Sequence, residues 1–399
     1  MKIVIVSAFY SKGMGYVENC LPRALVALGH EVHVVTSTLN VYGNTPEYED
    51  TYAAFLGPAD TGCQTFEVDG YMVHRLPCRL LKHYVLLTSL GAKLRVLRPD
   101  VVHCIEIASL QIVVLAALRP VLRYLLFAET HQHMSVVKPY LREGKRFRLV
   151  RAGFWLTRTL PISISSLAVE RCYAIAPDCM EVARRFYGVP ARKTVLQSLG
   201  SDTVLFHPPK TSDEMALREL MRSTMGYATG DVLCVYTGRF SIDKNPLLLA
   251  TAIAMLASQG LPYHGIFVGD GPQREAIAKL SNTRIVAFMR HGDLADLYRA
   301  VDVAAWPRQE SMSMLDAASS GLPLVVSDQM GEQGRVEGNG LTYKENSVED
   351  MARVLRSLSS AHVRRALGTL GRSKMESHFN WSSIAHSLVS DYRQAGAPA

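Results

Sequence analysis

Residues Val232–Ala257 read VLCVYTGRFSIDKNPLLLATAIAMLA. The opening run, Val232–Tyr236, is apolar, the pattern of a parallel strand buried on both faces. The closing LLLATAIAMLA is helix-forming, with Asn245 at the capping position and Pro246 in the first turn. Arg239 and Lys244 therefore flank a strand-to-helix loop. Open α/β sheets bind ligands at such loops, and a helix N-terminus favours an anion there. Arginine brings a planar fork and lysine a mobile point charge, which together suit the oxygens of a diphosphate. Each charge-assisted bond is worth roughly 1.5–3 kcal/mol. Two solvated surface cations would fit the same residues, so the reading depends on what accompanies them.

Two further stretches accompany them. Phe267–Pro272, FVGDGP, is a strand running into a tight turn, where Gly269 and Gly271 allow a sharp bend or a close backbone approach to a ligand. Alone, such a turn is common. Pro307–Pro323, PRQESMSMLDAASSGLP, follows the apolar run Val301–Trp306 and carries Glu310 and Asp316 six residues apart on a short loop entering a helix. Carboxylates repel phosphate and accept hydrogen bonds from hydroxyls. A diphosphate site flanked by hydroxyl-reading carboxylates describes a nucleotide sugar, with ribose at one end and hexose at the other.

In this order and spacing the chain resembles the retaining glycosyltransferases of family 4, glycosyl transferases group 1. The resemblance runs through Lys2–Ser37, with the loop Lys12–Tyr16, then PDVVH at Pro99–His103, ETHQH at Glu129–His133, VLQSLGSDTVLFHP at Val195–Pro208, DLADLYRAVDVAAW at Asp293–Trp306 and the closing FNWSSIAHSLVSDY. It implies an α/β GT-B architecture: two facing Rossmann-like domains with parallel sheets and a C-terminal helix crossing back to the first. Residues 1–205 would form the acceptor-binding domain, 206–377 the nucleotide-sugar domain and 378–399 the returning helix. The implied catalytic residues are Arg239, Lys244, Glu310 and His131. The implied donor contacts add Gly13, Gly15, Gly238, Gly269, Gly271, Arg290, Ser311, Met312, Ser313, Met314 and, at the ribose, Asp316. The donor would be a UDP or GDP sugar, with no metal and no further cofactor. Configuration would be retained, the departing phosphate oxygen itself taking the acceptor proton.

The chain departs from the family pattern in that loop. Relatives carry two Glu separated by seven residues. Here Glu310 matches the first, and Asp316 matches the second by its distance from Gly321, so the loop is two residues shorter. Ser311, Met312 and Ser313 stand where relatives have glycines, and Met289 and Arg290 replace a glycine near the base.

In the first half, Lys12-Gly-Met-Gly-Tyr16 is half of a dinucleotide fingerprint. Glu18 occupies the third glycine position, which argues against a dehydrogenase. Gly13 and Gly15 suit either backbone approach to a donor phosphate or a plain tight turn. His131 resembles a sugar-pocket histidine that hydrogen-bonds the hexose, with His133 a competitor two residues on. Asp202 reads as structural, by the hinge.

The 399 residues suffice for two domains, and 48% hydrophobic with 20% charged residues describes a core-forming chain. Seven cysteines without a CxxC pair suggest reduced, mostly buried thiols in a cytoplasmic protein. The N-terminus begins a strand at once, with no secretory peptide expected. The best candidate span, Ser109–Phe127, is interrupted by Arg119, Pro120 and Arg123 and reads as a buried helix. The net charge of +7 concentrates in 138–158, where Lys138, Arg142, Lys145, Arg146, Arg148, Arg151 and Arg158 oppose only Glu143 among aromatic and aliphatic residues. That segment fits either an anionic membrane surface, peripheral at the inner face, or a solvated face on the first core. No nucleic-acid motif accompanies it.

Strands are expected at Ile3–Ser7, Glu31–Thr36, Met72–Leu76, Val101–Cys104, Tyr124–Ala128 and Tyr173–Ala176, then at Val232–Tyr236, Gly265–Val268, Thr283–Ala287, Val303–Trp306 and Leu324–Ser327. Asn40–Gly62 reads as a long loop, and the stretch from His207 as a linker. The acceptor is open among a glycan, a lipid-linked sugar and a small molecule. Two other functions fit the fold: a nucleotide-sugar epimerase, and a non-catalytic nucleotide-sugar-binding scaffold.

Overall fold

The structure, a computed structural model, describes residues 1–81, 84–137, 145–308, 311–330 and 333–398. Internal contacts divide the chain into two units. The first comprises Met1–Lys12, Tyr16–Leu199 and Trp381–Ala399; the second comprises Gly13–Gly15 and Gly200–Asn380.

The first unit is built on an eight-stranded sheet. Its strands are β1 (Lys2–Val6), β2 (Glu31–Ser37), β3 (Thr65–Val68), β4 (Tyr71–Leu76), β7 (Val101–Cys104), β8 (Leu125–Thr130), β9 (Cys172–Ala174) and β10 (Thr194–Leu196), in the order β10-β9-β8-β7-β1-β2-β4-β3. Two more strands, β5 (Cys78–Leu81) and β6 (Tyr84–Leu87), pair antiparallel outside it. All ladders of the large sheet are parallel except β3 with β4. The central strands are buried on both faces, so they carry continuous apolar runs such as KIVIV and VVHC rather than an alternation.

In the second unit six strands are all parallel: β11 (Val232–Thr237), β12 (Tyr263–Val268), β13 (Thr283–Val286), β14 (Val303–Trp306), β15 (Leu324–Ser327) and β16 (Gly340–Tyr343), ordered β13-β12-β11-β14-β15-β16. In each unit the chain winds outward from one central strand and then restarts on that strand's other side. The reversal falls between β1 and β7 in the first unit and between β11 and β14 in the second. At such a reversal the crossover helices leave on opposite faces, which opens a crevice beyond the carboxyl ends of the strands. The loops after β1, β7, β11 and β14 are therefore the ones that the fold prepares for ligands.

Several expectations meet a different outcome. Asn40–Gly62 is ordered: Tyr48–Thr51 and Ala53–Leu56 form single helical turns, and Asn40 Nδ2 donates to the carbonyls of Leu56 and Pro58. Asn245 sits at the N-cap of helix Pro246–Ser258 in the left-handed region (φ 51°), but its side chain does not cap. The cap comes from the neighbouring loop, where Gln273 Oε1 accepts the Leu247 N–H at 3.1 Å. Ser109–Phe127 resolves into helix Leu110–Leu122 and the start of β8, with Arg119 ion-paired to Glu170. Among the described residues no helix is long and apolar enough to cross a membrane. Five of the seven cysteines are buried, and all seven are free thiols.

The helix Trp381–Gln394 belongs to the first unit, where Tyr173 Oη donates to Asp391 at 2.8 Å and Arg171 pairs with the same carboxylate at 2.9 Å.

Candidate active site

In the second unit the loop after β11 is shaped by glycine. Gly238 has φ +144° and Gly269 φ +142°, both left-handed. A Cβ on Gly269 would stand 2.0 Å from the Gly238 carbonyl oxygen, and one on Gly271 would stand 3.0 Å from the Phe240 backbone. The two strand-end loops thus lie backbone against backbone. Phe240 N–H donates to the Asp270 carbonyl at 2.8 Å, and Gln273 N–H returns to the Phe240 carbonyl at 2.9 Å. The GDGP turn supports the cation loop, and its glycines are required by that packing alone.

On this support Arg239 and Lys244 are half-buried just before the helix Pro246–Ser258. Tyr236 Oη holds the Arg239 carbonyl at 2.7 Å, and Arg308 Nη1 holds the Ile242 carbonyl at 3.2 Å. Asp243 stands 3.7 Å from Arg239. Burial would raise the Asp243 carboxyl, yet the Ser241 hydroxyl and the Arg239 and Lys244 charges bring it below its ordinary value. The loop thus presents two cations beside one carboxylate and a helix N-terminus, an arrangement able to hold an anion.

The loop after β14 joins this region through Tyr298, whose hydroxyl meets Thr237 at 2.9 Å and also bonds Ser313. Ser311 and Ser313 share a 2.7 Å hydrogen bond, and Met312 is the N-cap of helix Ser313–Ser319, where Met314 and Asp316 are buried. Glu310 lies outside the described residues. Asp316 is engaged by protein on both oxygens: Ser201 Oγ donates to Oδ1 at 2.7 Å, and His291 Nε2 lies 2.9 Å from Oδ2.

His291 is the residue that sequence reasoning missed. Its ring sits under Gly15, where a Cβ would come 2.3 Å from His291 Cδ2, and its N–H donates to the Gly13 carbonyl at 2.9 Å. A Cβ on Gly13 (φ +80°) would stand 3.6 Å from Arg290 Cδ. Gly13, Gly15, Arg290 and Asp316, drawn from three distant stretches, therefore converge on His291. The only sequence signal was a histidine in the loop five residues past the end of β13.

In the first unit His131 follows β8, half-buried, with Nε2 2.7 Å from Glu129 Oε2. Its backbone N–H donates to Glu106 Oε2 at 3.0 Å, and Ala108 N–H donates to Oε1 of the same carboxylate at 2.8 Å. Three carboxylates thus surround one imidazole, in different states. Burial pushes Glu18 up to about 7. Burial also raises Glu106, against the His131 charge and two backbone N–H donors. Burial would raise Glu129 too, but hydrogen bonds from His103 and His131 bring it down to about 2. For His131, burial disfavours the cation, yet Glu129, Glu106 and Glu18 outweigh it and the pKa rises.

His133 is held elsewhere, 3.1 Å from Asp178 Oδ2. His133, Asp178 and Cys179 lie with their ligand atoms within 4.8 Å of one another, a spacing compatible with a metal ion. The Asp178 oxygens also accept the N–H groups of Met134 at 3.0 Å and Cys179 at 2.9 Å, so the carboxylate is engaged by the backbone of two helices.

Comparison with known proteins gives the family and the fold. The family model described as Glycosyltransferase Family 4 matches residues 13–204, and that for Glycosyl transferases group 1 matches 231–361. A D-inositol 3-phosphate glycosyltransferase of Rhodococcus erythropolis is 28% identical over 57% of this chain and 54% of its own length. The sulfoquinovosyl transferase SQD2 of Arabidopsis thaliana is 24% identical over 94% of this chain and 69% of its own. The chain thus spans only about half the length of the first of these relatives. Among solved structures, sucrose-phosphate synthase of Thermosynechococcus elongatus aligns over 100% of both chains with a TM-score of 0.72 at 20% identity. Anabaena Alr3699/HepE in complex with UDP-glucose aligns over 99% of this chain and 100% of its own, with a TM-score of 0.67 at 16% identity. The chain belongs to glycosyltransferase family 4, in the GT-B fold.

Proposed function

We propose that this protein is a retaining glycosyltransferase that moves a hexose-type sugar from a UDP or GDP sugar to an acceptor hydroxyl. The observation that carries this reading is the loop after β11: Arg239 and Lys244, built on two left-handed glycines, beside a helix N-terminus at a strand-order reversal. The diphosphate binds there. As the glycosidic bond breaks, negative charge grows on the leaving phosphate, and fixed cations stabilise it more strongly than they stabilise the ground state. The paired cations supply the neutralisation a divalent ion would otherwise give, so the transfer is metal-independent. The acceptor hydroxyl attacks on the leaving-group face, and its proton passes to the departing phosphate oxygen. His131 and Glu310 contact the hexose, and Asp316 the ribose. The relatives' names, an inositol-phosphate glycosyltransferase and a sulfoquinovosyl transferase, support a glycan, glycolipid or small polyol acceptor.

Thermal-shift measurements with UDP, GDP, ADP and TDP sugars test the reading. One base class should stabilise the wild type, by about 2.7 kcal/mol at 100 times its dissociation constant, and the Arg239→Ala/Lys244→Ala variant should not respond. A well-folded wild type that answers to none of them rejects the transferase, whereas a response without nucleoside diphosphate release on adding acceptor favours a nucleotide-sugar-binding scaffold.

A membrane-surface role draws on one further observation. Leu149, Trp155, Leu156, Ile164 and Leu167 are all exposed around the basic helix Lys145–Phe154, with Arg151 exposed among them. Arg158 is not part of that surface: it is buried, donates to the Ala108 carbonyl at 2.9 Å and lies over the Tyr84 ring. Lys138, Arg142 and Glu143 lie outside the described residues. Co-sedimentation with anionic vesicles should fall as salt rises; binding indifferent to salt and to anionic lipid rejects this role.

A further inference from the structure

Four side chains of the first unit form one unbroken run of hydrogen bonds. Tyr392 Oη, on helix Trp381–Gln394, lies 2.6 Å from His103 Nδ1. His103 Nε2, on β7, lies 2.9 Å from Glu129 Oε1, and Glu129 Oε2, on β8, lies 2.7 Å from His131 Nε2. The proton positions follow from the middle of the run. An ionised carboxylate only accepts, so both histidines donate to it through Nε2–H. With His103 neutral, its Nδ1 is a lone pair and accepts from the Tyr392 hydroxyl. Among the described residues only His131 Nδ1 is left over, on a ring whose side chain is 26% exposed, whereas the His103 side chain is fully buried. Every other polar atom of the run is spent internally.

We propose that Glu129 is a positioning residue for His131: it fixes the ring's orientation and tautomer so that Nδ1 meets the sugar substrate, and through His103 it ties that presentation to Tyr392 on the C-terminal helix. The substrate in this statement rests on the transferase reading; the run of hydrogen bonds does not. The electrostatics agree with the geometry. Glu129 on β8, Glu106 after β7 and Glu18 on helix Val17–Ala27 all face His131 and raise its pKa against the effect of burial. Glu106 also clamps the His131 backbone, and the C-terminal helix is pinned by Asp391 to Tyr173 and Arg171, so both ends of the run are held.

A buried polar network could instead serve only to fasten the helix to the sheet. The two roles separate in the titration of the His131 ring, followed by NMR on the full chain with labelled histidine and assigned with His131→Ala. In Glu129→Gln the His131 midpoint should move to lower pH. Tyr392→Phe, which removes one hydroxyl and keeps the ring, should move it less. With UDP-glucose and GDP-mannose as donor probes, Glu129→Gln should lower kcat roughly 10- to 100-fold, the range for groups that orient a ligand-binding histidine, with a smaller change in KM. A folded Glu129→Gln protein with an unchanged His131 midpoint overturns the proposal. Should that variant not fold, an unchanged midpoint in both Tyr392→Phe and His103→Gln does the same. A shifted midpoint in a protein that turns over neither donor supports the positioning of His131 while counting against the transferase. An unshifted midpoint in an active enzyme removes the positioning role and spares the transferase.

Discussion

The cation loop of the second unit and the histidine–carboxylate cluster of the first are built on opposite principles. Arg239 and Lys244 are half-buried side chains on a backbone scaffold, and the scaffold is the rigid part: two glycines, two interloop hydrogen bonds and a helix start. Their charges cost little to keep solvated and gain most when an anion arrives. Around His131 the carboxylates of Glu18 and Glu129 are buried, and their charge states are set by that burial and by the histidines beside them. The first arrangement stores its function in geometry that ignores pH, whereas the second stores it in protonation. Substitutions should therefore divide cleanly, with ligand effects in one region and pH-dependent effects in the other.

The largest expected effect lies in the loop. Removing one fixed charge or donor from such a site costs on the order of 10²- to 10³-fold in kcat. Arg239→Ala and Lys244→Ala should each do so in steady-state assays of nucleoside diphosphate release. Their unliganded Tm should hold, since substitutions away from the core shift stability by only about 0.5 kcal/mol. A Tm collapse in either would mean that the cations are structural and would erase the contrast between the regions.

Next comes the scaffold. Gly269→Ala places a Cβ 2.0 Å from the Gly238 carbonyl oxygen at a left-handed φ. Strain and clash together should cost roughly 3 kcal/mol, which lowers Tm by about 2–4 °C per kcal/mol in a domain of this size. Gly292→Ala meets nothing within 4 Å and serves as the control.

This division also explains what was legible in the sequence. The cation loop is local: Val232–Ala257 contains strand, cations and helix start in chain order, so its fold and charge are readable from one window. Most of the parallel strands were equally plain, because burial on both faces leaves uninterrupted apolar runs. β3, β5, β6, β10 and β16 were missed because each is only three or four residues long and none is buried throughout. The His131 cluster joins positions 18, 103, 106, 129, 131 and 392, and no window shows that Glu129 faces two imidazoles. Asp316 was readable as a matched acid, but not its partners, since Ser201 lies 115 residues away. The Asn245 cap failed for the same reason: the capping group is Gln273, 28 residues on from Asn245.

The cluster predicts a pH signature that the loop should lack. Glu18 is raised from 4.5 to about 7 by burial. The folded state therefore holds this proton more tightly than the unfolded chain. Its stabilisation is full below pH 4.5 and is lost as pH rises through 7, a difference of roughly 3 kcal/mol. Glu129, lowered to about 2, acts the opposite way, and its stabilisation disappears only as pH falls from 4.5 through 2. In Glu18→Gln the decline in Tm between pH 4.5 and 7 should flatten, while Arg239→Ala should follow the wild-type curve throughout. Parallel curves for wild type and Glu18→Gln would show that Glu18 titrates normally and that the cluster is wetter than its burial implies.

Asp316 provides the smallest and most discriminating test, because it has a feature of each region. It is a buried carboxylate, like those around His131, yet it stands in the unit that carries the cations. Its oxygens take the Ser201 hydroxyl and His291 Nε2, so Asp316→Ala removes the acceptor from both, and the loss at buried Ser201 alone is worth about 1–3 kcal/mol. The Tm of the unliganded protein should fall accordingly, whereas Asp316→Asn, which keeps one acceptor oxygen, should lose less. A ribose contact adds a second requirement: both variants must weaken the thermal shift given by the nucleotide sugar beyond what their own loss of stability explains. If Asp316→Asn is destabilised but still answers to the donor in full, Asp316 works by seating His291 against Gly13 and Gly15, and the ribose is read by another group.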